Sequence, residues 1–592
     1  MGSSRAFSFV WWWWRQRLGH QRSLCSCTYK MDARALVYLR LCLGVHILMD
    51  INTRLDAGGL AFYVSEPKEE AALHPNDTPH KHFLHNIWFA RGSATFQTAF
   101  FAILALTTIA YALGYAVHAP SRKLALNTQT VLYFLLTSMH GRCETVNDGS
   151  DRFLRNIIAW TACLPLDGTT QPCTLASLGI TLQLTLMYWL TLASRYHGTT
   201  WWLPELSAVH YATAGTFATR APALACALPT WLKQCMTACA VATEAVAPAA
   251  ILMMPSCKGY LRAIPVLAIA GLHVGIAVLI RLVNWQRLGA LVMVAWLPSG
   301  VLDLLPNPAA PHKATVRRKQ SHSTSPITSA PSCSSILPSL LLTYMLYISA
   351  CEFTGMPKFL DDGNVGEAVR FSQNWVMYSA DPGKIGGWWT ITAELQAHHV
   401  LGGELHGNLL GTSQRRHIDV LAAMRDSDWH HPLLDDSEVG ALLDYVPESP
   451  SALYPNMRFE RALGRWGMGD VAIREHTVVQ KLGWLGAHLC ERTKRERDKR
   501  MWAPRRAGVA QSGDFTTGGD RPSRVRFAYR ELIVEPPGSS ECLTRRGLPP
   551  LPGPANATIS LSLEDAYLGY KAASNSARHV GHDLDVVVSC TE

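Results

Sequence analysis

The 592-residue sequence lacks the cysteine spacing of a metal site. Its 15 cysteines form no C-x-x-C pair, which excludes the zinc-finger and zinc-ribbon classes. It also lacks a basic stripe interleaved with aromatics. The formal charge of +9 is spread over loops and tails, so no nucleic-acid partner is expected. No paired inverted repeat or matched pair of broken apolar segments is visible, which ranks a transporter last among the function classes. The apolar block 9–14, which ends in four tryptophans, is too short to cross a bilayer. No small-residue cleavage site follows it, so residues 1–30 read as a cytosolic N-terminal extension.

What the chain does have is one apolar run after another between residues 33 and 352. The runs are 33–51, 94–117, 124–140, a helix opening near 150, 175–194, 231–254, 261–280, 288–305 and 336–351. Crossing about 30 Å of hydrocarbon at about 1.5 Å per residue takes about 20 residues. Two of the runs are short, so about eight or nine spans are expected. Arg40, His46 and Asp50 lie in the first run; charge is costly in lipid, so these side chains should face a protein interior.

The connections carry an orientation signal. The N-terminal extension, Arg122-Lys123, Lys258 with Arg262, and Lys313 with Arg317-Arg318-Lys319 all fall on alternate connections. With nine spans they share one side, which the positive-inside rule makes cytosolic. The glycosylation candidates Asn76 and Asn556, each in an N-x-T tripeptide, then lie on the far side. An integral membrane protein of the endoplasmic reticulum or secretory pathway is expected, with its N-terminus in the cytosol.

The fold class that follows is mainly α: a polytopic transmembrane helical bundle followed by a smaller lumenal or extracellular soluble domain with some β structure and a disordered tail. The divisions are a bundle at 31–305, a disordered basic Ser/Pro-rich loop at 306–335, a last transmembrane helix at 336–352, the soluble domain at 353–506 and a low-complexity tail at 507–592. Residues 388–395 alternate in the manner of a strand.

The stretch most suggestive of a site is 146–167, VNDGSDRFLRNIIAWTACLPLD. A polar turn with Asn147 and Asp148 opens into an apolar helix bearing Asp151 and Arg155. Those two are four residues apart and can share a helix face. Together with Glu244, a carboxylate inside a span, these residues are candidates for a substrate-headgroup site or a structural polar lock. The histidines at 74, 80, 82 and 85 have no standard metal spacing, and no metal is expected.

Several pieces of the chain resemble the HTTM-domain membrane proteins, relatives of the vitamin K-dependent gamma-glutamyl carboxylase. Residues 32–56, with Asp50 and Arg54, resemble that family's opening helix, and 146–167 its N-x-G-D-x-L-L-R signature with Ser150 as one extra residue. Thr243-Glu244 with Pro248, Leu272-His273-Val274-Gly275 and 371–388 match further motifs in the same order. The resemblance implies a polytopic membrane enzyme that acts with reduced vitamin K or another quinol at the lumenal face. Its partners would be membrane lipid and a secreted or membrane protein substrate. It also implies a catalytic lysine in a pattern like A-K-L-x-G-x-x-W.

Here that pattern reads Ala193-Ser194-Arg195-Tyr196-His197-Gly198-Thr199-Thr200-Trp201, which puts Arg195 in the lysine's place. Arginine keeps its proton and cannot act as a base near neutrality. His197 could take that role, since an imidazole titrates near about 6.5. Arg195, His197 and His273 are therefore the catalytic candidates. Arg195 and His197 could instead line a lumenal mouth that binds anions. Two readings remain open: a carboxylase-like enzyme (a lyase), or a non-catalytic lipid- or partner-binding membrane protein that keeps the fold.

Overall fold

The computed structural model describes residues 31–56, 60, 63, 93–113, 122–142, 147–164, 174–196, 198–214, 227–254, 260–282, 284–306, 336–354 and 371. Beyond these it describes 385–396, 416–426, 434, 436–444, 486, 489–490, 521–534, 543–545, 558–561 and 584–589. The N-terminal extension, the loop 307–335, the histidines of the first long connection, His197 and both glycosylation candidates, Asn76 and Asn556, lie outside these residues.

All nine apolar runs emerge as helix. In order they are α1 (Ala33–Leu55), α2 (Ala94–Leu113), α3 (Arg122–Arg142), α4 (Gly149–Ala162) and α5 (Leu175–Arg195). After the short α6 (Ala208–Ala214) come α7 (Thr230–Met253), α8 (Ala263–Leu279), the interrupted α9 (Trp285–Val292) to α10 (Ser299–Leu302), and α11 (Ile336–Thr354). Five of them, α1, α2, α5, α7 and α11, are long and apolar enough to cross a membrane. The protein is mostly helical, with five candidate spans and a small sheet. The other runs depart for separate reasons: α3 carries charge at both ends, α4 is 14 residues and α8 17 residues. At about 1.5 Å per residue, α4 reaches only about 21 Å.

The run expected at 288–305 is a broken helix. After α9 the chain tightens into a 3₁₀ turn at Met293–Trp296, turns extended at Leu297, and restarts as α10 behind Pro298. Proline has no N–H to continue a ladder. The break does not shorten the segment's reach. At its start Asn284 Nδ2 donates to Asp50 Oδ1 near the end of α1 (2.5 Å), and at its far end Arg34 at the start of α1 donates to Asp303 (2.8 Å). It therefore runs antiparallel to α1 along nearly its whole length.

Asp32 caps α1 and accepts three hydrogen bonds from Arg34. Burial pushes the Asp32 carboxyl up, but those bonds outweigh it and hold the group below its ordinary value.

Helices α1 and α5 form the inside of the bundle. Their apolar windows are 61% and 67% buried, against 28% for α7 and for α11. Val246, Ile264, Leu267, Val278 and Leu340 are exposed on the outer helices, the surface a lipid environment would cover. Small residues set two close approaches: a Cβ added to Gly44 would run into Ala112 of α2, and one added to Gly179 would run into the Trp160 ring. Helices α5 and α7 are antiparallel, since Trp189 Nε1 donates to the Ala245 carbonyl (3.1 Å) and Thr185 to that of Pro248 (3.4 Å). Beyond α11 the chain returns to the bundle at Phe371, which is 1% exposed. Its ring lies 6.0 Å from that of Trp160 and 6.2 Å from that of Tyr344.

The remaining described residues build a sheet with two short helices, α12 (Val420–Asp426) and α13 (Asp436–Asp444). Strand β1 (Ile385–Gln396) pairs antiparallel with β2 (Arg416–Asp419) and, over its full length, with β3 (Arg521–Val534). On its other edge β3 pairs with β4 (Leu543–Arg545) and β6 (Leu584–Ser589), and β5 (Thr558–Leu561) lies parallel to β6. The alternation read at 388–395 is thus a strand. The expectation of a disordered tail from 507 is corrected over 521–534, 543–545, 558–561 and 584–589, which supply four of the six strands. Consecutive residues Thr390, Ile391, Thr392 and Ala393 are all buried, so β1 is covered on both faces. Cys490 is disulfide-bonded.

Candidate functional site

Two buried polar clusters lie inside the bundle. The first gathers on Arg54, in the last turn of α1, whose side chain is completely enclosed. Asp50, one helical turn earlier, accepts from Arg54 Nε at 2.8 Å, and Asp151 at the start of α4 accepts at 2.7 Å. Tyr63 Oη and Asn147 Oδ1 take two more bonds at 2.6 and 3.2 Å. One guanidinium therefore holds two carboxylates from different helices, a use for which its planar fork suits arginine better than lysine.

The local sequence explains why Asp151 is free to reach α1. Asp148 and Asp151 form a capping box, in which the Asp148 carboxylate accepts from the backbone of Ser150 and Asp151. Asp151 Oδ2 accepts in return from the Asp148 N–H at 2.8 Å. That leaves Oδ1 for Arg54, so one carboxylate both starts its helix and ties it to another. The inserted Ser150 donates its hydroxyl to Asp148 and is buried. Asn147 Nδ2 donates to the His140 carbonyl (2.5 Å), joining the end of α3. Arg155 meets the His140 ring at 2.8 Å, and that ring lies 3.3 Å from Asp151. On the far side Arg287 donates to Asn284 (2.7 Å), whose amide holds Asp50. The ends of α1 and α3 and the starts of α4 and α9 converge on this cluster.

Asp50, His140 and Asp151 place one ligand atom each within 4.8 Å of one another. Arg54 already sits between the two carboxylates. A divalent ion there would face a buried guanidinium, so the arrangement favours the internal ion pairs over a metal.

The second cluster joins the remaining motif residues. Arg195, at the last turn of α5, is 4% exposed and donates both terminal nitrogens to Glu244 of α7, the longer bond being 3.3 Å. Its guanidinium lies 3.8 Å over the Trp201 ring, a cation–π contact in a dry setting. Trp202 Nε1 donates to the Arg195 carbonyl (3.1 Å). One face of α5 continues inward to Tyr188, two turns earlier, whose hydroxyl lies 2.6 Å from His273 Nε2 on α8. The His273 ring rests on Gly289 of α9, where any Cβ would overlap it. Trp285 links it onward to Phe153 of α4, with centroids 6.0 and 5.5 Å apart.

Of the sequence candidates, Asn147, Asp148, Asp151 and Arg155 belong to the first cluster, and Arg195, Glu244 and His273 to the second. An anion-binding mouth at Arg195 is corrected: the guanidinium is enclosed and its charge already balanced. Glu244, the carboxylate inside a span, pairs with an arginine. His273 is a hydrogen-bonded interior histidine, yet its Nδ1 has no partner among the described residues, and neither do Arg195 Nε and Trp201 Nε1. Sequence reasoning did not find Tyr63, His140, Asn284 or Tyr188. Only the turn spacing of Tyr188 and Arg195 on one helix face offered a signal.

Comparison of the chain with protein-family models, with curated proteins and with solved structures finds no match.

Removing one partner of a buried ion pair strands the other charge, at a cost of about 3–5 kcal/mol. Glu244→Gln should therefore lower the thermal stability of the detergent-solubilised protein by that order. Arg195→Met added to Glu244→Gln should recover most of the loss. Equal, additive losses in a melting series would contradict the pairing.

Proposed function

We propose that this chain is a polytopic membrane protein of the HTTM, gamma-carboxylase-like kind that binds a lipid-soluble ligand in its bundle without lysine-dependent carboxylation. The observation that carries the reading is the ion pair of Arg195 with Glu244. At the position where the resembled enzymes hold their base, this chain has a cation committed to an internal carboxylate, and arginine gives up no proton near neutrality. Motif residues far apart in sequence meet in the two clusters, which supports the resemblance; the missing lysine separates fold from chemistry.

The resemblance implies a quinol such as reduced vitamin K. The residues fit one through three buried nitrogens. Arg195 Nε and Trp201 Nε1 are buried donors with no acceptor among the described residues, and His273 Nδ1 is open. Buried polar atoms of this sort call for a partner, and a quinone oxygen would supply it. A bound quinol would bring two electrons and two protons for release on oxidation. Arg195, Trp201 and His273 would hold and orient it, while Glu244 keeps the local charge at zero. A second reading, a carboxylase-like enzyme, rests on the Tyr188–His273 pair, in which an enclosed imidazole has one nitrogen left to accept a proton.

Mass spectrometry of lipid extracts from the purified protein separates these readings from a purely structural role. An isoprenoid quinone should co-purify with the native chain and be depleted several-fold with Trp201→Ala. No enrichment over an unrelated membrane protein would overturn ligand binding. Fixation of carbon dioxide into a glutamate peptide with reduced vitamin K should be absent. Activity lost on His273→Ala would instead establish the enzyme reading.

For topology we propose nine crossings, counting α3, α4, α8 and the broken α9–α10 segment with the five long apolar helices. The N-terminus is then cytosolic and the sheet lumenal, in the endoplasmic reticulum or secretory pathway. Support comes from basic residues on alternate connections and from the Cys490 disulfide, a bond that persists in oxidising compartments. Enzymatic deglycosylation should shift the protein's mobility, with the shift reduced by Asn76→Gln and by Asn556→Gln. Unchanged mobility would place both tripeptides on the cytosolic side.

A further inference from the structure

The three open nitrogens of the second cluster, Arg195 Nε, Trp201 Nε1 and His273 Nδ1, differ in what they can do. Two are donors by their chemistry, since a guanidinium and an indole carry N–H groups and no acceptor. Neighbouring indoles do find oxygens. Trp189 donates to the Ala245 carbonyl (3.1 Å), Trp202 to that of Arg195 (3.1 Å) and Trp296 to Thr181 Oγ1 (3.0 Å). The third nitrogen can be donor or acceptor, and Tyr188 decides which. Its hydroxyl lies 2.6 Å from His273 Nε2, and neither side chain has another hydrogen-bond partner among the described residues. If the phenol donates to Nε2, the one group left over is an Nδ1–H. If Nε2 donated instead, the phenol proton and the Nδ1 lone pair would both be stranded in a dry interior. The arrangement with fewer stranded groups puts the imidazole proton on Nδ1. That nitrogen then has no lone pair for a proton, which weighs against the enzyme reading.

We propose that the second cluster selects ligands whose polar head offers acceptors only, and so takes a quinone in preference to its quinol. The proposal rests on the reading that this cluster binds a lipid-soluble ligand. Its open groups are three N–H donors, and its own acceptors are engaged. Glu244 accepts from both terminal nitrogens of Arg195, and the Arg195 carbonyl accepts from Trp202. A quinone carbonyl takes up such a donor and strands nothing. A quinol oxygen can accept too, but its O–H then has to compete with the guanidinium for Glu244 or go without an acceptor. A buried donor without a partner is costly, and sites discriminate strongly on that basis. Tyr188 acts here as a positioning residue: it holds His273 in the donor form without needing to touch the ligand. Tighter binding of the oxidised form lowers the two-electron potential of the bound couple by about 30 mV for each tenfold in affinity. The site therefore keeps a quinone oxidised, the opposite preference to that of an enzyme whose substrate is the quinol.

Equilibrium dialysis of the purified full chain in detergent, with empty micelles as the blank, tests it. The probes are a prenylated 1,4-benzoquinone and its hydroquinone, the latter kept under argon. The native chain should bind the quinone about tenfold more tightly than the quinol. In Tyr188→Phe the imidazole is free to carry its proton on Nε2 and accept at Nδ1, so most of that preference should disappear. Equal binding of the two forms, or tighter binding of the quinol, would overturn the selectivity and leave the ligand reading standing. Binding of neither form would overturn both. A preference retained in full by folded Tyr188→Phe would overturn the proton assignment from which the selectivity follows. If that variant does not fold, the ratio in the native chain decides.

Discussion

The bundle depends on one enclosed guanidinium. Arg54 binds Asp50 on its own helix and Asp151 on α4, and through Asn147, His140 and Asn284 its network reaches α3 and the interrupted helix. Charges without partners are costly at such depth. The cluster is therefore stable only when all of its members arrive together, and it fixes which helix ends meet. Asp151 is the pivot: half of its carboxylate completes a capping box and half answers Arg54. The hydrophobic contacts around it are permissive by comparison, since many apolar surfaces could pack there.

The second cluster applies the same physics to another end. Arginine keeps a cation in the bundle and offers no neutral amine near neutrality. Glu244 makes that cation tolerable, and Trp201 shields its open face. Such a site needs a counter-ion, and Glu244 supplies it. Among the described residues Arg195 Nε, Trp201 Nε1 and His273 Nδ1 have no hydrogen-bond partner, which still distinguishes it from an ordinary buried salt bridge.

The helical half of the fold was legible because spanning length and apolar composition are written residue by residue. The break at Pro298 was also written there, but an average over a window hides a single proline. The tail strands show a different failure. Val525, Phe527 and Tyr529 alternate with Arg524, Arg526 and Arg530 in β3, a clear strand pattern, yet the surrounding Gly, Pro and Arg content outweighed it. For the sites, spacing within one helix put Asp151 and Arg155 on a common face, and both lie in the first cluster. It did not reveal that Asp151 belongs to Arg54, nor that His140, Tyr63 and Asn284 complete the cluster. Those partnerships are made across 9 to 234 residues of sequence and follow from packing alone.

The junction of α1 with α4 rests on the coupling between Arg54 and Asp151. A double-mutant cycle with Arg54→Met and Asp151→Asn, read by thermal unfolding in detergent, measures it directly. A coupling of about 2 kcal/mol or more is predicted, because each single substitution already removes the buried Arg54–Asp151 contact and the double variant can lose it only once. Additive losses, with no coupling outside error, would mean that Arg54 does not hold α1 and α4 together.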